Sequence, residues 1–136
     1  PLRLVGSEMC IRDSLLEGGL ERFVKLDKSQ DFTGKAAILS EKQSGRKKAF
    51  ATLVIDAGTC DAPYMSTLWQ GDTLVGETTS GAWGYRVNAS VALAMLRPDL
   101  TEPGTELEVE IYGERRRAVV QQDQPLWDPE NERLKA

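Results

Sequence analysis

Alternation of apolar and polar residues governs the second half of this chain. Leu107, Val109 and Ile111 alternate with Glu106, Glu108 and Glu110, and Gly113 then turns the chain into Arg117 to Gln121. A period of two is that of a strand with one buried face, so these residues predict a hairpin. Gln70-Gly71-Asp72 lies between Thr67-Leu68-Trp69 and Thr73-Leu74-Val75, which is a second hairpin signal. Phe50 to Ile55, rich in β-branched residues, and Ser90 to Leu96, ended by Pro98, bring the set to five or six short strands between glycine and proline turns. The expected fold is mainly β, a small antiparallel β-barrel at the C-terminal end.

The first third reads differently. Gly18 and Gly19 permit a bend, and Leu20, Phe23, Val24 and Leu26 supply apolar anchors before the polar turn Asp27 to Gln30, which predicts a short buried strand. Asp31 and Thr33 can cap orphan amides, Ala36, Ala37, Ile38 and Leu39 favour a helix from about Gly34 to Ser44, and Gly45 supplies its left-handed end. Arg46, Lys47 and Lys48 complement the helix dipole and read as a solvated linker marking a domain boundary. Residues 1–14 show neither alternation nor a capped helix, and the expectation is a start foreign to this fold. The organisation is therefore 1–14 unassigned, 15–46 a strand-helix remnant of an α+β domain, and 47–136 the barrel. On this reading the chain is the tail of something larger.

Composition narrows the chemistry. The 136 residues suffice for one domain or a domain plus a fragment, and 40% apolar with 28% charged residues is ordinary globular usage. A net charge of -4, from 17 basic and 21 acidic residues, gives no field that attracts phosphate backbones, so nucleic acid is not an expected partner. There is no histidine, which removes the commonest general base and the commonest metal ligand. Cys10 and Cys60 stand far apart without a CxxC pattern, so neither a metal, nor redox chemistry, nor a disulfide is signalled. Apolar runs such as Val91 to Leu96 are far shorter than the ~20 residues of a membrane span. No membrane is expected, and the compartment that follows is the cytoplasm, with an organelle matrix as the alternative.

Candidate site residues come from aromatic and basic positions. Thr79-Ser80-Gly81-Ala82-Trp83-Gly84-Tyr85 combines small residues with two aromatics, which lets a loop either approach a ligand closely or fold tightly on itself. Trp69 and Trp127 read as barrel and terminal plugs, each needing a partner for its indole N–H. Arg115, Arg116 and Arg117 face Glu106, Glu108 and Glu110 across the second hairpin, where cross-strand ion pairing accounts for them.

Several segments taken in order resemble a known family. These are L-L-E-G-G-L-E-R-F-V-K-L-D-K at 15–28, D-F-T-G-K-A-A at 31–37, L-W-Q-G-D-T-L-V-G-E-T-T-S-G-A-W-G-Y at 68–85, S-V-A-L-A-M-L at 90–96, P-G-T-E-L-E-V-E-I-Y-G-E-R-R-R-A at 103–118, and the P-L-W-D-P ending. Together they are similar to the end of the glycine-cleavage T-protein (aminomethyltransferase) family, whose fold is also fused to FAD-dependent dimethylglycine and sarcosine dehydrogenases. The resemblance implies a tetrahydrofolate site at the centre of a three-domain enzyme that moves a one-carbon unit from an aminomethyl group or methylated amine onto folate. It makes residues 15–46 the end of the folate-binding domain.

No catalytic residue is expected here, because the family's acidic residue lies upstream and the flavin fingerprint G-x-G-x-x-G is absent. The resemblance implies three folate contacts. Arg22 stands where dehydrogenases of this type place an aromatic residue, and either stacks or pairs with folate or faces solvent from a strand. Trp83 and Tyr85 either close the folate site or simply pack. The expected function is that of a C-terminal fragment of a dimethylglycine or sarcosine dehydrogenase, inert alone, capping the folate domain. A fragment of a stand-alone aminomethyltransferase, or a non-catalytic binding or assembly module, stays open beside it.

Overall fold

The computed structural model describes residues 13–122, 125–133 and 135. Alternating residues of the second half fold as β1 (Ala49–Ile55), β2 (Thr67–Gln70), β3 (Thr73–Gly84), β4 (Ala89–Leu96), β5 (Glu106–Ile111) and β6 (Glu114–Val120). Around the sheet they run β1-β4-β3-β2-β5-β6 in a closed barrel, every pairing antiparallel. The mainly β expectation and the antiparallel barrel are borne out, with one α-helix, α1 (Lys35–Ser44), ahead of the sheet.

Both hairpins owe their form to residues that tolerate positive φ. Gly71, at φ 58, holds the first central position between Gln70 and Thr73, as a II′ turn requires. Tyr112 and Gly113, at φ 48 and 87, hold both central positions between Ile111 and Glu114, the signature of a I′ turn. The strands so joined send alternate side chains inward. Leu53, Leu68, Leu96, Val109 and Val120 are almost wholly buried, and Ala51, Ala92, Ala94 and Ala118 fill the narrower places. Mixing small and large side chains suits the tight interior of a six-stranded barrel. Each of the large ones stabilises it by about 1.5–3 kcal/mol relative to exposure.

β3 links the two halves of the barrel. It pairs with β2 through Thr73 to Glu77 and with β4 from Gly76 to Gly84, with a register shift between Thr78 and Ser80. Residues 79–84, expected as a loop, are therefore strand, and only Tyr85 lies in the turn that follows. The ladder from Ser80↔Leu93 to Gly84↔Ala89 outweighs the small-residue composition that suggested a loop. The close approach does occur, but to protein: a Cβ on Gly81 would sit 2.3 Å from the Ala62 carbonyl oxygen. Thr78 holds the same connection, residues 56–66, donating to the Pro63 carbonyl at 2.6 Å and accepting from the Ser66 N–H at 2.9 Å. Ser90 donates to Asp61 on it.

The segment before the barrel departs from expectation. Glu21–Phe23 is a 3₁₀ turn rather than a buried strand, with Phe23 N–H on the Leu20 carbonyl and Val24 N–H on the Glu21 carbonyl, both 3.0 Å. Apolar residues at 20, 23 and 24 have the spacing of a helical turn, not a strand's alternation, and Phe23 is 70% exposed. Asp31 and Thr33 do not cap α1. Gly34, at φ 95, occupies the N-cap without a side-chain bond, and Asp31 accepts from Phe32 N–H instead, too far upstream to reach the first free amides. Gly45 ends the helix at φ 84 with its N–H on Glu41, as expected.

The basic linker is also a joint. Arg46 donates to the Leu16 carbonyl at 3.2 Å, the Lys48 amide to Glu17 at 3.2 Å, and the Phe50 amide to the Glu17 carbonyl at 2.9 Å. Residues 14–19 thus lie against the start of β1. Cys60 is exposed. Cys10 and residues 1–12 fall outside the described residues.

Candidate functional site

A groove of about 610 Å³ runs along the outer wall of the barrel. Its floor follows from register: Thr52 pairs with Leu93 and Leu93 with Ser80, while Val91 pairs with Ala82. These residues alternate with the interior row Leu53, Ala92 and Gly81, so they point outward. Ser80 and Ala82 are small and keep the floor low. One wall is the β3–β4 turn, Tyr85 to Val87, and the other is Pro125 to Trp127. The turn is tight because Val87 and Asn88 both donate to the Gly84 carbonyl, at 3.1 and 2.7 Å, with Asn88 at φ 52. A Cβ on Gly84 would fall 2.7 Å from Val87 Cγ2.

Arg86 is the one charged side chain among the described residues lining this groove. Its guanidinium carbon lies 4.5 Å from the centre of the Trp127 ring, and that of Arg133 lies 5.5 Å from it. Hydroxyls are present on Thr52, Ser80 and Tyr85, but no described lining residue is a carboxylate that could take a proton from them. Among the described residues no group of three or more Asp, Glu or Cys side chains is placed to hold a metal ion. The described lining is mostly apolar, with one cation and three hydroxyls.

Two of the three sequence-derived site residues meet here. Trp83 and Tyr85 both line the groove, 41% and 89% exposed. Arg22 does not: it stands in the 3₁₀ turn, its guanidinium 4.9 Å from the ring centre of Phe23. The sequence presents Trp127 as a terminal plug and carries no local signal at Arg86, yet their stacking shapes a wall. No local motif joins them, because they meet only after the barrel closes.

The remaining aromatic and basic residues pair with one another. Trp69 donates its indole N–H to Thr67 Oγ1 at 2.9 Å, and Arg115 lies 4.5 Å over its ring. Arg117 pairs with Glu106 and Arg115 with Glu108, diagonally across the β5–β6 hairpin, while Arg116 takes Glu114 on its own strand. The hydrogen bond from Arg117, then its charge, holds the Glu106 carboxyl below the ordinary glutamate range. Ion pairing accounts for this basic run without a ligand.

Known proteins place the barrel. The sequence model of the glycine cleavage T-protein C-terminal barrel domain matches residues 48–128. The chain is 35% identical over 133 residues to the mitochondrial dimethylglycine dehydrogenase of Rattus norvegicus, covering 97% of this chain and 16% of that protein. Identity to the human counterpart is 37%, covering 97% and 15%. The aminomethyltransferase of Cupriavidus metallidurans is 37% identical over 121 residues, 88% of this chain and 30% of that one. Among solved structures, aminomethyltransferase T of the Bartonella henselae glycine cleavage system superposes with a TM-score of 0.76 at 22% identity, covering 87% of this chain and 33% of that one. That last likeness is one of fold. The chain spans about a sixth of the length of the dehydrogenases and under a third of the transferase.

Proposed function

This chain belongs to the glycine cleavage T-protein C-terminal barrel domain family, and from that premise we propose that it serves as the C-terminal part of a larger folate-dependent one-carbon enzyme. The reading favoured is an FAD-dependent dimethylglycine or sarcosine dehydrogenase that passes a one-carbon unit to tetrahydrofolate. What carries it is the 35–37% identity to dimethylglycine dehydrogenases across 97% of the chain. The aminomethyltransferase match covers 88%, and a stand-alone transferase is the second reading.

In this role residues 15–46 end the folate-binding domain and the barrel caps it. The partners are folate, a small methylated amine and the rest of that domain, in the cytoplasm or, as for the mitochondrial dehydrogenases it resembles, in mitochondria. Flavin finds no fit here, since the chain has no G-x-G-x-x-G, and its chemistry would belong to another domain of the intact enzyme. Folate fits better: the exposed rings of Trp83 and Tyr85 offer flat apolar faces for a conjugated ring, and Arg86 offers a cation to an anionic tail. Arg22, outside the groove, reaches folate only if the ligand also passes over the 3₁₀ turn.

Titration of the intact protein with 5-formyltetrahydrofolate tests the assignment. Tyr85→Ala and Trp83→Ala are each expected to weaken binding about two- to tenfold, the worth of one aromatic contact. Unchanged affinity in both removes the groove from the folate site, and unchanged affinity in Arg22→Ala removes Arg22. The upstream reading frame separates the two enzymes: a dinucleotide-binding fingerprint ahead of a folate domain is expected, and a folate domain alone turns the reading to the transferase.

A further inference from the structure

The wall made by Pro125 to Trp127 is attached unlike any other part of the groove. Hydrogen bonds of residues 125–133 are local: Asn131 N–H on the Asp128 carbonyl and Glu132 and Arg133 N–H on the Asp128 carboxylate, at 2.9, 2.9 and 3.1 Å, while Lys135 donates to the Asn131 and Glu130 carbonyls at 3.2 and 3.1 Å. None among the described residues runs to a barrel strand. Asp128 and Asn131, at φ 53 and 56, fold the segment back so that Arg133 returns over Trp127. Pro125 and Leu126 also border a second hollow of about 360 Å³ beside Pro103 and Val119, so the segment is undercut on both sides. Among the described residues, Pro125, Leu126 and Trp127 line the groove, and Arg86 stacks on the Trp127 ring.

We propose that residues 125–133 are a releasable strap over the groove, and that Trp127 occupies the guanidinium-backed place an anionic aromatic ligand takes when the strap lifts. The segment is braced internally through Asp128, and the Arg86 stack on Trp127 is its described contact with the β3–β4 turn, which suits a part that moves as a unit. Arg86 presents the face that holds it: a planar cation stacks on an aromatic ring whether the ring belongs to Trp127 or to a ligand, and its charge adds preference for a ligand bearing an acid group. This deepens the reading of the groove as a ligand site by assigning its regulation to the chain's own tryptophan.

Hydrogen exchange and dye binding on the 136-residue chain test this. Arg86→Ala should speed exchange of the amides of 125–133 about two- to fivefold, the worth of one exposed cation–ring contact, and leave β5 and β6 unchanged. Arg86→Lys keeps the charge without the planar face, so it should release the strap almost as fully and guards against a folding defect. With 8-anilinonaphthalene-1-sulfonate as the probe, Trp127→Ala should bind more tightly than the parent, with shifts at Val91 and Leu93, and adding Arg86→Ala should abolish the gain. Strap exchange indifferent to both Arg86 variants, or weaker dye binding in Trp127→Ala, overturns the proposal. A strap that responds as stated while folate affinity ignores Trp83 and Tyr85 leaves the strap standing and sinks the folate assignment alone.

Discussion

Single atoms decide several features of this barrel, and glycine shows it most sharply. Gly81 and Gly113 both sit in the sheet region, but for different reasons. Gly113 needs its φ of 87 and has nothing within 4 Å, whereas a methyl on Gly81 meets a backbone oxygen at 2.3 Å. Gly113→Ala should cost about 1–2 kcal/mol and leave the connection 56–66 undisturbed. Gly81→Ala should cost about 1–3 kcal/mol and speed amide exchange at Met65 and Ser66, because the strand and that connection must part. Thermal denaturation with site-resolved exchange distinguishes them, and equal, purely local effects would show that the Ala62 contact yields freely. Glu106 offers a pH test. Its folded-state pKa lies below the unfolded value, so its pairing with Arg117 stabilises above the ordinary glutamate range and is lost as pH falls through the folded value. Carbon-detected NMR titration of the Glu106 carboxyl should show the lowered midpoint, Arg117→Ala should return it to normal, and added salt should shrink the difference.

Elements differ in how firmly they are held. α1 buries none of its residues and is tied through polar pairs, Glu41 with Ser14 and Lys42 with Glu21, so a ten-residue helix held this way is marginal in water. The β5–β6 hairpin, by contrast, sends Leu107, Val109, Ile111, Ala118 and Val120 into the core. Amides of residues 20–44 should therefore exchange faster than those of β5 and β6, and slower exchange there would mean α1 has support of its own. The same contrast explains what could be read in advance. The strands, apart from the 79–84 half of β3 whose small residues suggested a loop, were legible because alternation, β-branched residues and turn glycines agreed with one another. Residues 20–26 were not, since four apolar side chains in seven positions fit one turn of helix as readily as a strand. Asp31 and Thr33 misled because a cap must stand next to its helix, and Gly34 came between. Half of the groove was legible from the aromatic and small residues of one strand and turn. The other half, Arg86 on Trp127, is written in no local pattern and arises from tertiary closure.

At the scale of the whole molecule, a family barrel is joined through Glu17, Arg46 and Lys48 to a segment whose apolar side chains, Phe23, Phe32 and Leu39 among them, stay exposed. That contrast between a filled core and an uncovered flank fits a part shaped to abut another body. Closure of the ring has a further effect. β6 meets β1 through Leu53↔Val120, Val54↔Val119 and Ile55↔Ala118, a short seam, yet one that uses up the last free strand border. Among the described residues a ring so closed leaves less unpaired strand border than an open sheet would, which makes it a poorer template for a neighbour's strand. Loosening those three residue pairs would open the ring and free a border on both β1 and β6, a consequence out of proportion to their number.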